Sequence, residues 1–252
     1  YMYELKTGIE KIFFKFFEVS FLRLSTSIVI PSPYSLKRTK KLMPNKNIHY
    51  IELFFDKIAN KEIKDTYCKG EFLYVGTIEH RKGLHLMIEA LALNSEKKLN
   101  FIVNIVGKVT DNAYYSKLLY RIRELNLQDK IIFHGRVSDN KLRFLYNNAE
   151  LFIFPSLLEG YGMVLIEAMS FGIPIVAFNN SAIPLTVKHG VNGLLSENKN
   201  VRDFSSCIGL IANNSIYRKK LSSGAIESTV NLRNYLDFRN DIKSFVNDLI
   251  KN

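Results

Sequence analysis

Two carboxylates, Glu159 and Glu167, stand with seven residues between them in the stretch Phe154-Pro155-Ser156-Leu157-Leu158-Glu159-Gly160-Tyr161-Gly162-Met163-Val164-Leu165-Ile166-Glu167-Ala168-Met169. The apolar run Leu151 to Phe154 predicts a buried strand, and the residues after Gly162 predict an apolar-rich helix. A helix that begins on flexible backbone exposes its first N–H groups, and such groups bind anions. Carboxylates beside them can accept hydrogen bonds from sugar hydroxyls. The chemistry this spacing suits is a cradle for a sugar joined to a diphosphate. Glu167 falls among Leu165, Ile166, Ala168 and Met169, where a carboxylate needs a polar partner; a ribose diol would serve.

A second stretch, Val75-Gly76-Thr77-Ile78-Glu79-His80-Arg81-Lys82-Gly83, supplies cations. Gly76 lets the backbone turn at a strand end. Lys82 and Arg81 stand at a helix start, where the dipole disfavours positive charge. That cost argues for a use, and neutralising a diphosphate is the obvious one. A third stretch, Phe133-His134-Gly135-Arg136-Val137-Ser138, offers the backbone of a turn to a nucleobase, although a glycine at a strand end is common. The bland alternative for each stretch is solvated surface charge. The five histidines form no metal-ligand cluster, and Cys68 and Cys207 fit no metal or redox spacing. Neither a Walker-type loop nor a Ser-His-Asp order occurs.

At 252 residues, 47% apolar and 23% charged, the composition is that of a globular protein. No apolar run approaches the ~20 residues that span a bilayer. Tyr1 to Lys6 does not read as the start of a signal peptide, and the first residue is not Met, as in a trimmed or partial product. Isolated cysteines suit a reducing cytoplasm. Residues 1–70 hold 13 Lys and Arg against 7 Asp and Glu, giving +6 of the net +11. That charge could meet anionic lipid or a phosphorylated substrate, or be a solvated face. Nucleic-acid binding would explain the charge and none of the motifs.

The elements that must position these residues alternate. Residues 4–24 predict a helix with Ile9, Ile12, Phe13, Phe16, Phe17, Phe21 and Leu24 on one wide face, suited to a core or to a membrane surface. Ser27 to Ile30 and Ile48 to Phe55 predict strands, and Lys37 to Met43 a short helix between them. Residues 57–70 predict a linker. Beyond it strands are predicted from Glu71, Asn100, Lys130, Leu151, Ile175 and Gly193. Helices are predicted over 83–93, 113–126, 139–148, 163–171, 201–213 and from Ile216 onward. This pattern implies parallel βαβ units in a doubly wound sheet, with ligands at the carboxyl ends of the strands.

Taken in order, the motifs resemble the C-terminal half of family 4 glycosyltransferases, retaining enzymes of the two-lobed GT-B fold that use nucleotide sugars. The resemblance runs from about Phe72 to about Leu195. It includes Val75-Gly76 through Lys82-Gly83, the 133–138 stretch, Phe154-Pro155-Ser156 with Glu159-Gly160-Tyr161-Gly162, and Glu167-Ala168-Met169. It closes with Gly172-Ile173-Pro174-Ile175-Val176 and His189-Gly190-Val191-Asn192-Gly193-Leu194-Leu195. It implies a Rossmann-like α/β donor domain over 71–232, a remnant of the acceptor lobe over 1–56, and a C-terminal helix over 233–252. It also implies roles. Lys82 binds the donor diphosphate, with Gly76, Thr77 and Arg81 beside it. Glu159 contacts the transferred sugar. The N–H groups of Tyr161, Gly162 and Met163, next to Gly160, hold sugar or phosphate. Glu167 binds ribose and the backbone at Val137 meets the base. Two departures stand out: Thr77 where the family often has Arg, and Leu185 after Pro184 where Glu is common.

The resulting expectation is a retaining hexosyltransferase using a UDP- or GDP-sugar, with no metal or other cofactor required. The acceptor would be a glycan, glycolipid or glycoprotein. Most of the acceptor lobe is absent from this sequence, so transfer would need it in the parent chain or in a separate subunit. The cell compartment would be the cytoplasm, with peripheral contact at the inner face of the membrane permitted by the aromatic helix. The alternative is a non-catalytic nucleotide-sugar-binding or assembly subunit; a sugar-nucleotide epimerase is disfavoured by the Glu-Gly-Tyr-Gly context.

Overall fold

The structure, a computed structural model, describes residues 8–55 and 70–251. The expected linker over 57–70 lies outside the described residues except for Gly70, as do Cys68 and residues 4–7 of the first predicted helix. The chain divides into two compact units, Tyr1–Asp56 with Leu232–Asn252, and Lys57–Asn231.

The second unit is built on a six-stranded parallel sheet. Its strands are β3 (Glu71–Val75), β4 (Ile102–Val106), β5 (Ile131–Gly135), β6 (Leu151–Phe154), β7 (Ile175–Phe178) and β8 (Gly193–Ser196), in the order β5-β4-β3-β6-β7-β8. Every residue of β6 and of β7 is buried. Such strands lack polar alternation because helices cover both faces, as parallel sheets require. The covering helices are α3 (Leu84–Glu96), α4 (Asn112–Glu124), α5 (Asp139–Asn148), α6 (Met163–Ser170), α8 (Val201–Asn213) and α9 (Ser215–Glu227), with the single turn α7 (Ile183–Thr186) between β7 and β8. The strand order reverses direction between β3 and β6, which pair through Phe72–Leu151 and Leu73–Phe152. The carboxyl ends of these two strands are the place where doubly wound sheets hold ligands.

The starts of the six covering helices divide into two kinds. Helices α4, α5, α8 and α9 are capped by Asp111, Ser138, Asn200 and Asn214, whose side chains accept the backbone N–H three residues on. Helices α3 and α6, which follow the two strands at the reversal, begin instead on Gly83 and Gly162. Both glycines are in the left-handed conformation (φ +70° and +87°), and neither helix has a cap from its own N-cap side chain.

The first unit contains α1 (Gly8–Leu24), β1 (Ser27–Ile30), α2 (Pro33–Leu42), β2 (Asn47–Tyr50) and α10 (Tyr235–Lys251). Strands β1 and β2 pair in parallel. Helix α2 starts four residues before its predicted position, because Ser32 caps Ser35 and Pro33 fits the first helical turn. The expected strand from Ile48 to Phe55 ends at Tyr50. The helical tail expected from Ile216 onward forms two helices, α9 and α10, the second corresponding to the C-terminal helix expected over 233–252. Helix α10 packs with the N-terminal segment through His49–Phe245, Phe54–Tyr235 and Phe54–Phe238 ring contacts, and Phe55 N–H donates to the Arg233 carbonyl at 3.0 Å. On α1 the side chains of Ile12, Phe16, Phe17, Phe21 and Leu24 are exposed. Among the described residues no helix is long and apolar enough to cross a membrane.

Candidate donor site at the sheet reversal

The chain leaving β3 forms a 3₁₀ turn, His80–Lys82, before α3. The chain leaving β6 runs through Pro155 and Ser156 to Gly162 before α6. These two loops are sewn together. Leu157 N–H donates to the Arg81 carbonyl at 2.9 Å, and Arg81 Nη1 donates to the Leu158 carbonyl at 2.9 Å. Gly83 permits the approach: a Cβ there would lie 2.0 Å from the Pro155 oxygen. The consequence is that Lys82 and Glu159 meet across the reversal, with Nζ 2.8 Å from Oε2 and side chains only 11% and 14% exposed.

That ion pair is not alone. Arg81 Nη1 lies 4.0 Å from the same Glu159 oxygen, while Arg81 Nη2 donates to Glu79 Oε1 at 2.7 Å. Thr77 Oγ1 also donates to Glu79 Oε1. The guanidinium is therefore held by the loops themselves. Lys82 Nζ sits 5.4 Å from the Phe154 ring centroid, a cation–π distance. Ser156, fully buried, has its Oγ within reach of both the Leu158 carbonyl and Glu159 Oε2. Gly160 N–H donates to Glu159 Oε1 at 3.3 Å. Tyr74, behind this cluster, donates to the Thr77 carbonyl, and burial holds its phenol well above the ordinary pKa.

Glu167 lies on the second turn of α6. Its Oε2 accepts a hydrogen bond from Tyr146 of α5 at 2.9 Å. Tyr146 is 2% exposed and stacks on Phe171 and Phe152; burial, then the Glu167 charge, raises its pKa. Asp139, Leu142, Arg143, Tyr146 and Glu167 line a cleft of about 270 Å³. Val137, half-buried, precedes Ser138 and the start of this helix. His134 is engaged elsewhere. Its Nε2 is 2.7 Å from Asn104 Oδ1, and Asn104 Nδ2 donates to Glu71 Oε2. Since that amide points its oxygen at the ring, Nε2 carries the proton.

On the other side of the 3₁₀ turn, Tyr114 of α4 accepts the His85 N–H at 3.0 Å and lies 2.8 Å from His85 Nδ1. Tyr114 thus caps α3 from a neighbouring helix and gives its own proton to Nδ1. Burial, then the stacked His80 (ring centroids 4.8 Å apart), lowers the His85 pKa to about 4. Burial raises Tyr114 to about 12.

Sequence reasoning named Lys82, Glu159, Arg81 and Thr77, and the fold brings them into one cluster; Glu167 stands apart, with Tyr146. Sequence reasoning did not find Tyr146, Ser156, Asn180 or Ser181. Asn180 and Ser181 come two and three residues after the end of β7, at the carboxyl edge of the same sheet, and that position was the available signal. Among the described residues no group of three or more His, Cys, Asp or Glu is arranged to hold a metal ion.

Residues 55–228 match the family described as Glycosyl transferases group 1. Among curated proteins, O-antigen chain mannosyltransferase B of Escherichia coli is 31% identical over 142 residues, covering 56% of this chain and 36% of that protein. O-antigen chain mannosyltransferase RfbU of Salmonella typhimurium is 29% identical over 191 residues, covering 75% and 52%. The chain thus spans about half or less of the length of these relatives. Among solved structures, sucrose-phosphate synthase from Thermosynechococcus elongatus superposes with a TM-score of 0.83 at 20% identity, covering 98% of this chain and 63% of that one. Anabaena HepE in complex with UDP and glucose gives 0.77 at 20% identity, covering 90% and 64%. With the matched region exceeding half its length and carrying the reversal-point cluster, the chain belongs to the group 1 glycosyl transferases, and its fold is that of the C-terminal lobe of GT-B proteins.

Proposed function

We propose that this chain carries the donor lobe of a retaining hexosyltransferase. The observation that carries the reading is the Lys82–Glu159 pair, 2.8 Å apart at the sheet reversal beside the α6 N-terminus, which its own N-cap residue does not cap. A half-buried ion pair adds little to stability, because desolvation offsets much of the attraction. A ligand with its own negative charge can take the lysine. On donor binding Lys82 turns from Glu159 to the diphosphate, and the freed carboxylate accepts hydrogen bonds from the sugar hydroxyls. The N–H groups of Tyr161, Gly162 and Met163 add the positive end of α6. Glu167, oriented by Tyr146, takes the ribose hydroxyls, and the backbone at Val137 meets the base. Gly76, Thr77 and Arg81 shape the wall below the diphosphate.

The anomeric carbon–oxygen bond breaks toward the diphosphate while the acceptor oxygen attacks from the same face. The acceptor's proton passes to the departing phosphate oxygen. The protein's share is electrostatic stabilisation of the charge that grows on that leaving group, supplied by Lys82 and the α6 N-terminus. Relatives and fold neighbours support the donor class: two of the relatives are named mannosyltransferases, and HepE has been solved with UDP and with UDP-glucose.

Transfer requires an acceptor lobe, in the same polypeptide or a separate subunit, presenting a glycan, glycolipid or glycoprotein. The exposed apolar face of α1 suits such a partner or peripheral attachment at the inner membrane face of the cytoplasm. A non-catalytic nucleotide-sugar-binding subunit is the second reading, favoured by the commitment of Arg81 to Glu79 and the Leu158 carbonyl. Calorimetric titration with UDP, GDP and their hexose conjugates tests the donor site. Binding of one nucleotide series, weakened in Lys82→Ala, supports it; no binding, or wild-type donor affinity in both Lys82→Ala and Glu159→Ala, sinks it. Hexose transfer with a supplied acceptor lobe separates the enzyme from the binding subunit.

A further inference from the structure

The loop after β7 carries a strained residue that reaches into this cluster. Ser181 has φ +47°, a left-handed conformation disfavoured for any residue with a Cβ. Its hydroxyl is fully used. Oγ accepts the Glu159 N–H at 2.9 Å and donates to Asn180 Oδ1 at 2.7 Å. The next residue completes the grip, since Ala182 N–H donates to the Glu159 carbonyl at 3.2 Å. Residues 181 and 182 therefore hold both polar groups of the peptide backbone at Glu159. Asn180 anchors the holder in turn. Its Nδ2 donates to the Ser156 carbonyl at 3.0 Å and to Asn198 Oδ1 at 2.9 Å.

Glycine would adopt this backbone without strain. Glycine has no hydroxyl, however, and would leave the Glu159 N–H without its partner. Strain that persists beside a candidate site points to a use for the side chain that causes it. We propose that Ser181 is a positioning residue: its hydroxyl, presented by left-handed backbone, fixes the Glu159 turn so that the carboxylate stays aligned with Lys82 and, on the donor-lobe reading, with the transferred sugar. The β7 loop thus acts on the sugar end of the site through Glu159 and has no direct part in holding the nucleotide.

The test separates strain from function by comparing wild type with Ser181→Gly and Ser181→Asn. Asparagine tolerates the left-handed conformation and offers both an acceptor and a donor. Hydrogen exchange at the Glu159 amide and the melting temperature are read without ligand, and affinities for UDP, UDP-glucose, GDP and GDP-mannose by calorimetry. Ser181→Gly is expected to melt at or above the wild-type temperature while its Glu159 amide exchanges about tenfold faster. Affinity for the sugar conjugate should fall about tenfold, with affinity for the bare nucleotide within about twofold, and Ser181→Asn should restore both readings. An unchanged Glu159 amide in Ser181→Gly overturns the inference, as does an equal loss of affinity for conjugate and bare nucleotide. A wild type that binds none of the nucleotides, with a loosened Glu159 amide in Ser181→Gly, upholds the positioning role and rejects the donor reading instead.

Discussion

Lys82 illustrates how a residue acquires meaning from its partner. A lysine at a helix start opposes the helix dipole; here Glu159 compensates it at 2.8 Å, and a diphosphate would compensate it better. Lys82→Ala is expected to weaken nucleotide affinity by about 30- to 100-fold, the worth of a charge-assisted hydrogen bond, in a calorimetric titration. Glu167 makes a separable prediction. If its carboxylate holds ribose, Glu167→Ala should weaken UDP or GDP binding about tenfold. Binding of the matching 2′,3′-dideoxy nucleotide should hardly change, and an equal loss for both would remove the ribose role. His85 gives a pH dependence. Its folded pKa, about 4, lies below the unfolded value near 6.5, so the unfolded chain binds more protons between those limits. Stability is therefore full above about pH 6.5 and declines as pH falls toward 4. Because the ring is partly solvated, a decline of about 1 kcal/mol is expected, seen as a melting point lower by about 2–4 °C. His85→Asn keeps an acceptor for Tyr114 and should flatten that part of the profile.

Elements are joined at this site by backbone proximity. Helix α3 can start beside the Pro155 carbonyl only because residue 83 has no side chain. Gly83→Ala would force both a steric clash with main chain and a left-handed alanine, and should cost about 2–4 kcal/mol in urea denaturation. Gly135 is the control. It too has positive φ (+65°), but a Cβ there meets nothing within 4 Å. Gly135→Ala should cost only about 1 kcal/mol, from backbone strain alone. Equal losses in the two variants would mean that the approach of α3 to the 155–162 loop does not matter to the fold. The division of helix starts carries the same lesson. Helices α4, α5, α8 and α9 are capped by Asp, Ser or Asn, whereas at α3 and α6, which face the reversal, glycine stands at that position.

At the scale of the whole molecule, the C-terminal helix belongs with the N-terminal segment rather than with the unit that precedes it in sequence. Aromatic contacts of Phe54 and His49 with α10, and Arg233 Nη1 donating to the Glu52 carbonyl, account for that grouping. The first unit also exposes the aromatic side of α1. Contiguous apolar surface of this kind drives association. Sedimentation is expected to show concentration-dependent self-association of this chain, reduced in a Phe16→Gln, Phe21→Gln double variant. A monomer at all concentrations would mean that the α1 surface is tolerated in water.

Read alone, the sequence determined the alternation of strands and helices, because burial periodicity and turn residues act within about a dozen positions. Leu151–Phe154, Asp139–Asn148 and Val201–Asn213 were legible to the residue, and so were the charged residues that the fold gathers at the reversal, Lys82, Arg81 and Glu159. Boundaries set by capping chemistry were less so: α2 begins early at Pro33, capped by Ser32, and the 3₁₀ turn before α3 went unseen. Only the tertiary structure decided that β3 lies beside β6, and hence that Lys82 and Glu159, 77 residues apart, share a hydrogen bond. The same holds for Tyr146 under Glu167 and for Ser181 holding Glu159. The physical reason is that strand order is chosen by how layers bury their apolar faces, a non-local balance that leaves no periodic trace in the sequence.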